Sequence, residues 1–546
     1  MSAHQVLVLI AIQLAILLLP AYGLAKLFVK AGVPGWKAFI PFYNTRVMLQ
    51  LGQRPMHWLF WQVIPIVGWF VSMGIFAEFV KLFGKFKLYE HALAALLPVI
   101  YFVYLGSDPA VKFLGPDPVR RYKKSTAREW VDAGIFAVVA ATLIRTFVFE
   151  AYVIPTGSME KTLLVNDYLF VSKLAYGPRI PMTPLAVPFV HNSLPVTGGK
   201  SYLTWLRLPY IRWFRHPIGR GEPVVFNWPM GDTVINLPDY LSARPYYTVC
   251  RQLGRGNIDS GRVIVLQDPD DYPLAIHPVD KEENYIKRCV ALPGDTLQIK
   301  DQMVYIDGKA QPFPPYSETF YIVTTKGQPL DETAMKEEYD VDIDNGEEFM
   351  LAEGAFTGGV EVPGARDMAS AGGASTGTGG MTAGTNGAGG ANRYRMLLTR
   401  SAYDKMLHSG LAASIEPEID SSDDVYPYWP GVKWSEDNYG PVFVPSKGAV
   451  ITLSPENYAL YERAIRVYEG NDFYTRDGKY FLNGKEVTQY TFRLDYYWMM
   501  GDDRHGSQDS RYWGFVPEDH IVGKPELIWL SWNKGVRWGR IFKRIY

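Results

Sequence analysis

The chain has little cysteine, only Cys250 and Cys289 in 546 residues. That excludes a disulfide-dense scaffold and a Cys-rich zinc module. It has no excess of charge of either sign, with a formal net charge of -1, which argues against a strongly basic nucleic-acid binder. It has no lysine or arginine before Lys26. The first apolar run therefore lacks a basic n-region, is long besides, and reads as a retained anchor rather than a cleaved signal peptide. What is present is informative in bulk: 48% hydrophobic and 20% charged residues exclude a wholly disordered chain. The 14% aromatic content suits membrane interfaces or a β-rich domain. At ~150 residues per domain the length predicts three or four units. The mean hydropathy of -0.06 is an average over unlike parts.

Four apolar stretches precede residue 150, at about 6–28, 58–80, 92–105 and 133–144. A membrane-spanning helix needs ~20 mostly apolar residues. The first two stretches qualify and the third is short. The fourth is bracketed by Asp132 and Arg145, whose charges can snorkel to the interface. A buried soluble helix is the alternative for the third and fourth. Basic residues cluster at Lys30, Lys37, Arg46 and Arg54, and again at Lys112, Arg120, Arg121, Lys123, Lys124 and Arg128. Placing both clusters inside puts the N-terminus outside and sends everything after the fourth stretch outside. Lys81, Lys85 and Lys87 then also lie outside, against the rule. The expected organisation is a membrane module with three helices over 1–129 and an anchor helix over 130–150.

From about 151 the pattern changes to short apolar runs separated by turn residues, the signal of strands. Asp307-Gly308 and Asn483-Gly484 favour tight hairpins because both dipeptides tolerate positive φ. The surroundings of these dipeptides, 301–309 and 477–485, resemble each other, as a weak repeat or as two hairpins with the same turn chemistry. Ser454-Pro455-Glu456 opens a predicted helix to about Val467, with Ser as its cap and Pro in its first turn. Between 354 and 392 the composition collapses to Gly, Ala, Ser and Thr, which reads as a flexible loop. The expected fold class is a multi-pass α-helical membrane module followed by a mainly-β extracytoplasmic domain. That domain divides into a core over 151–310 and 491–546, with an inserted α+β domain over 311–490 that carries the glycine-rich loop.

Three segments stand out chemically. They are Ile154-Pro155-Thr156-Gly157-Ser158-Met159-Glu160-Lys161-Thr162-Leu163, Tyr285-Ile286-Lys287-Arg288-Cys289-Val290-Ala291, and Met500-Gly501-Asp502-Asp503-Arg504-His505-Gly506-Ser507-Gln508-Asp509-Ser510-Arg511. Ser158 follows Gly157 in a stretch unsuited to a helix interior, as an exposed turn hydroxyl would. A serine nucleophile needs a base. Lys287 sits on an apolar strand where burial lowers a lysine pKa, and a fall of ~2–3 units would make it competent. Taken alone, a surface lysine beside a paired Arg288 is the commoner arrangement.

Together, and with Arg220-Gly221-Glu222-Pro223-Val224-Val225-Phe226, these segments resemble the motifs of bacterial type I signal peptidases. Those are membrane-bound Ser/Lys enzymes that cleave leader peptides from secreted preproteins. The resemblance covers about 130–310 and 495–530. It implies Ser158 as nucleophile and Lys287 as general base, with Ser507 orienting the lysine ammonium. Thr156 and the Ser158 N–H would form the oxyanion hole. Arg288, Asp509 and Arg511 fall at a structural ion-pair group. Tyr152, Ile154, Pro155, Leu163, Tyr285 and Ile286 fall at shallow pockets for small side chains before the cut. It further implies secretory preproteins as substrates, membrane lipid as surroundings, and an inner-membrane location with the catalytic domain on the periplasmic side. No nucleic acid and no cofactor are expected.

Several residues depart from the pattern. Lys161 replaces a common Pro and offers a second lysine near Ser158, but without an apolar strand around it. His505 invites a Ser/His reading, against which stands a solvated loop histidine. Asp502-Asp503 reads as turn carboxylates rather than an aspartic dyad, and Cys289 as a small packing residue. No His/Cys/Asp spacing suits a metal. The competing functions are an inactive membrane-tethered binding or assembly module on the same fold, and a self-cleaving Ser/Lys protease.

Overall fold

The computed structural model describes residues 3–546 except 65, 196, 198, 232, 238–239, 241–243, 257, 327–329, 342, 344–348, 352–391 and 430. The glycine-rich tract expected at 354–392 thus lies, apart from Asn392, outside the described residues. The chain forms two compact units, one of Met1–Glu150 with Gly177–Arg215, the other of Ala151–Tyr176 with His216–Tyr546.

In the first unit, one helix among the described residues, Thr126–Phe147, is long and apolar enough to cross a membrane. Its 22 residues span ~33 Å, against a hydrocarbon thickness of ~30 Å. Ser125 caps it by accepting from the Arg128 N–H, and none of its side chains is buried within the protein. Trp130, Ile135 and Phe136 are among its exposed apolar residues.

The other three apolar stretches do not form straight spans. The first is bent by 41° between Leu7–Leu18 and Ala21–Lys30, where Pro20 precedes the second helix. The second is two helices, Trp58–Val63 and Val67–Lys81. The longer has 15 residues, ~22 Å of rise, short of a bilayer core. The third turns by 118° between Leu88–Leu96 and Pro98–Ser107. Pro98 suits the first turn of a new helix and cannot continue an old one.

These bends bring the basic connections together at one end of the unit. Lys30 Nζ donates to the carbonyls of Leu105 and Val111, each at 3.0 Å. Leu114 N–H bonds Leu82 O at 2.8 Å. Arg54 pairs with Glu78, which also holds Lys81 at 2.5 Å, and Arg128 reaches His91 Nδ1 at 2.8 Å. Contacts around Leu82 and Lys81 thus tie the connection that carries Lys81, Lys85 and Lys87 to residues 54 and 114. At the other end Leu9, Ile66, Ile180, Leu208 and Ile211 form one apolar cluster, with Trp69, Phe70 and Phe147 packed against it.

The second unit is built on strands. The largest sheet contains β1 (Phe149–Val153), β2 (Asp167–Ser172), β3 (Pro223–Asn227), β4 (Asn284–Ala291), β5 (Tyr496–Met500), β6 (Val516–Pro517) and β7 (Ile521–Ser531), in the order β1-β2-β7-β3-β4-β5-β6. β3 and β5 are buried at every residue, as central strands covered on both faces must be, hence their unbroken Val-Val-Phe and Tyr-Tyr-Trp-Met-Met runs. Strand alternation sends Val224 and Phe226 into one core cluster, with Cys289, Met499 and Trp513, and Val225 into another, with Ile154, Met159 and Leu163.

Both dipeptide turns form hairpins. Asp307 and Gly308 at φ 49° and 76° join Met303–Ile306 to Lys309–Ala310, and Asn483 and Gly484 at 51° and 78° join Lys479–Leu482 to Lys485–Val487. A separate four-stranded sheet centres on Glu318–Thr325 and Arg393–Thr399. The helix opened by Ser454 runs Pro455–Arg463 and continues as a π turn over Ala464–Tyr468; the Ser454 hydroxyl accepts from Asn457 N–H at 3.1 Å.

Candidate active site

The register of the large sheet positions the central residues. β4 pairs with β3 so that Lys287 faces Val224 and Ile286 faces Val225, while its other edge pairs Arg288 with Met500. Just past Met500 the chain leaves β5 as a loop, 501–509, that packs back onto the turn carrying Ser158. Asp503 N–H bonds Ser158 O at 3.4 Å. A Cβ on Gly501 would meet Ser507 Oγ at 2.2 Å and Ser158 O at 2.6 Å. Only a residue without a side chain admits so close an approach.

Lys287 Nζ donates to Ser158 Oγ at 2.5 Å. Ser158 is 8% exposed and Lys287 2%. Burial pulls the Lys287 pKa down to about 8, the fall being limited by the carboxylates of Asp509, Asp502 and Asp503. The ammonium also lies 5.6 Å from the ring centre of Tyr285 on the same strand face. A hydroxyl bonded to an amine with a depressed pKa is a pair in which the amine can take the hydroxyl proton.

Ser507 Oγ is buried and has no hydrogen-bond partner among the described residues; its side chain meets the pair through the Gly501 contact rather than through Lys287 Nζ. Thr156 and Pro155 are exposed. Ile154 and Leu163 are buried in one cluster with Met159, and Tyr152 and Ile286 pack against it. Tyr285 leaves that group: its ring packs on Trp228 at 4.4 Å and Trp513 at 5.9 Å.

Around the pair lies a buried ionic frame. Asp509 receives Arg511 through Nε at 2.9 Å and Nη2 at 2.7 Å, and Gly501 N–H at 3.0 Å. Burial by itself would raise the Asp509 pKa, but Arg511 beside it holds it below the usual carboxylate value. Arg288 is held by Asp502 rather than Asp509, with bonds of 2.7 and 2.6 Å. Asp502 also accepts from Thr162 Oγ1 at 2.6 Å and is fully buried. It is not the turn carboxylate that the sequence reading made it. The missed signal was Arg288 itself, a cation on an apolar strand that needs a carboxylate partner.

Lys161, the second lysine of its segment, points away to Asp340 O at 2.8 Å. His505 is neither solvated nor at Ser158: it bonds Asp437 and Thr319, each at 3.1 Å. Cys289 is fully buried, and burial pushes its thiol pKa up. Among the described residues no group of three His, Cys, Asp or Glu side chains has metal-holding geometry.

The family described as "Signal peptidase, peptidase S26" matches residues 127–355 and 448–532, together more than half of the chain. Residues 36–116 match a family of unknown function. Signal peptidase I of Rickettsia canadensis (strain McKiel) is 29% identical over 186 residues, which is 34% of this chain and 45% of that protein. Signal peptidase I of Rickettsia massiliae (strain Mtu5) is 27% identical over the same shares, and that of Rickettsia bellii (strain OSU 85-389) is 27% identical over 34% of this chain and 40% of that protein. The chain thus spans less than half the length of the curated relatives it matches.

Proposed function

The chain belongs to the signal peptidase (peptidase S26) family, and on that premise we propose that it is a membrane-bound serine endopeptidase that removes N-terminal signal peptides from exported preproteins. The observation that carries the reading is the buried hydrogen bond of 2.5 Å between Lys287 Nζ and Ser158 Oγ. With a pKa of about 8 instead of 10.5, Lys287 is neutral about 300 times more often at neutral pH. Neutral Lys287 takes the Ser158 proton as Oγ attacks the scissile carbonyl. The resulting oxyanion is met by the Ser158 N–H and the Thr156 hydroxyl, whose exposure leaves it available to substrate. The lysine ammonium then protonates the leaving amine. In the second half the neutral lysine takes a proton from the water that attacks the acyl-serine, then returns it to Ser158 Oγ as the acyl–oxygen bond breaks and the acid leaves.

The apolar group of Tyr152, Ile154, Leu163 and Ile286 beside Ser158, with Pro155 and Tyr285 at its margins, suits small residues before the cut. Asp502, Asp509, Arg288 and Arg511 serve as scaffold, and Ser507 as the hydroxyl that steadies the lysine ammonium when substrate fills the site. The helix Thr126–Phe147 supports membrane anchoring, and the bent apolar segment before Lys30 supports a second crossing. The protease unit lies on the extracytoplasmic side of the inner membrane. The expected result with a model preprotein in detergent is that Ser158→Ala and Lys287→Ala each abolish cleavage while thermal unfolding stays that of the parent. Wild-type turnover in either variant removes the dyad assignment; folded variants of a parent that itself never cleaves would favour the inactive binding module.

A further inference from the structure

A cavity of about 290 Å³ opens in the second unit beside β4 and the segment 311–314. Arg288, Cys289 and Val290 of β4 line it, and Lys287 does not. Three arginines line it, Arg220, Arg288 and Arg504. Arg220 is held by Asp295 at 2.7 Å and Arg288 by Asp502 at 2.6 Å. Arg504 is 4% exposed and makes no ion pair among the described residues. Its Nε donates to Ser317 Oγ at 3.0 Å and its Nη1 lies 3.8 Å from Met500 Sδ, while the guanidinium sits 5.2 Å from the Phe313 ring centre. Burial, with Arg511 nearby, brings its pKa down to about 10, so it remains charged at neutral pH.

A buried cation without a counter-charge is costly, and natural proteins pair such groups. We propose that this cavity is a binding site for a small monoanionic carboxylate bearing a compact apolar group, with the carboxylate on Arg504 and the apolar part on Phe313 and Val304. The missing direct contact sets the first requirement: Asp502 and Asp509 favour the charged Arg504 guanidinium from a distance, but among the described residues no carboxylate touches it, whereas Arg220 and Arg288 each have one. The planar fork of a guanidinium matches the two oxygens of a carboxylate. Val304, Phe313 and the prolines beside it supply apolar walls. The volume is that of about ten waters in the liquid, enough for a ring or short chain and too little for a long acyl tail. The site does not depend on Ser158 and Lys287 being catalytic.

Benzoate is the probe, with neutral benzamide as its isostere, titrated calorimetrically into the full-length protein in detergent. Benzoate binds with one-to-one stoichiometry, and benzamide binds at least about tenfold more weakly, the loss of one charge-assisted contact. Arg504→Gln weakens benzoate by a similar factor. Because that variant removes a buried side chain and its folding is at risk, Gln311→Trp serves as a second test, filling the cavity from its half-buried lining without touching the bonds of Arg504. It abolishes benzoate binding and also reports any partition into micelles. Absence of saturable benzoate binding to the parent, equal binding of benzamide, or undiminished binding in Gln311→Trp or in folded Arg504→Gln each overturns the proposal.

Discussion

In the proposed mechanism Lys287 sets the pH at which the pair can act. A base must be unprotonated, so kcat/KM should rise with pH through the Lys287 pKa of about 8 and level off above it. The three carboxylates that keep this pKa from falling further give the sign of a second effect. Asp503→Asn removes a negative charge that favours the ammonium, so the acid limb should move to lower pH while the hydrogen bond from Gly506 N–H keeps an acceptor. A pH series on a fluorogenic leader-like peptide in detergent checks both; an unmoved limb in Asp503→Asn, or a parent limb near pH 10, removes the assignment of Lys287 as base. How far such residues can be read from sequence depends on distance along the chain. Ser158 and Lys287 are 129 positions apart, beyond any local periodicity, and only the resemblance of whole segments joined them. The partner of Arg288 was not picked out for the same reason: Asp502 is separated from it by 214 positions, and two adjacent aspartates after a glycine look like a turn. The solvated reading of His505 failed because Asp437 and Thr319, its partners, come from the inserted region.

Among the elements, the loop that leaves β5 at Gly501 controls how closely Ser158 and Ser507 can approach. Gly501→Ala would place a methyl group 2.2 Å from Ser507 Oγ and 2.6 Å from a backbone oxygen, and the backbone cannot rotate away as a side-chain tip can. Overpacking of that kind costs about 1–3 kcal/mol, so the variant should unfold at lower temperature. It should also lose cleavage beyond what its folded fraction explains, because the shift falls on Ser158 itself. Parallel calorimetry and peptide cleavage test this; a variant with the parent's unfolding temperature and turnover shows that the loop has room the geometry denies. At this scale the sequence was clearest where one residue type has one physical use. Asp307-Gly308, Asn483-Gly484 and the Ser454 cap each lie where the turn and capping chemistry put them. The helices over 58–81 were less clear, since a window of apolar residues does not record the break between Val63 and Val67.

At the scale of the whole molecule, contacts within the first unit tie its basic segments to one another. Lys30 meets Leu105 and Val111, Leu82 meets Leu114, Arg54 meets Glu78 beside Lys81, and Arg128 meets His91. All three basic connections therefore gather at one end. Leu9, Ile66 and Phe147 gather at the other. The chain that rises from Arg54 to Ile66 returns along Val67–Lys81, and the 118° turn between Leu88–Leu96 and Pro98–Ser107 returns it again. We propose that the hairpins over 58–81 and 88–107 change no sides, which leaves two crossings: the bent pair before Lys30 and Thr126–Phe147. On that proposed topology Lys81, Lys85 and Lys87 join the other basic loops inside, and the one conflict with the distribution of lysine and arginine disappears. Reporter fusions after Lys85 and after Lys124 should both report the cytoplasm, and one after Glu150 the opposite side. Four straight crossings require Lys85 and Lys124 to report opposite sides, and that result would refute the hairpins.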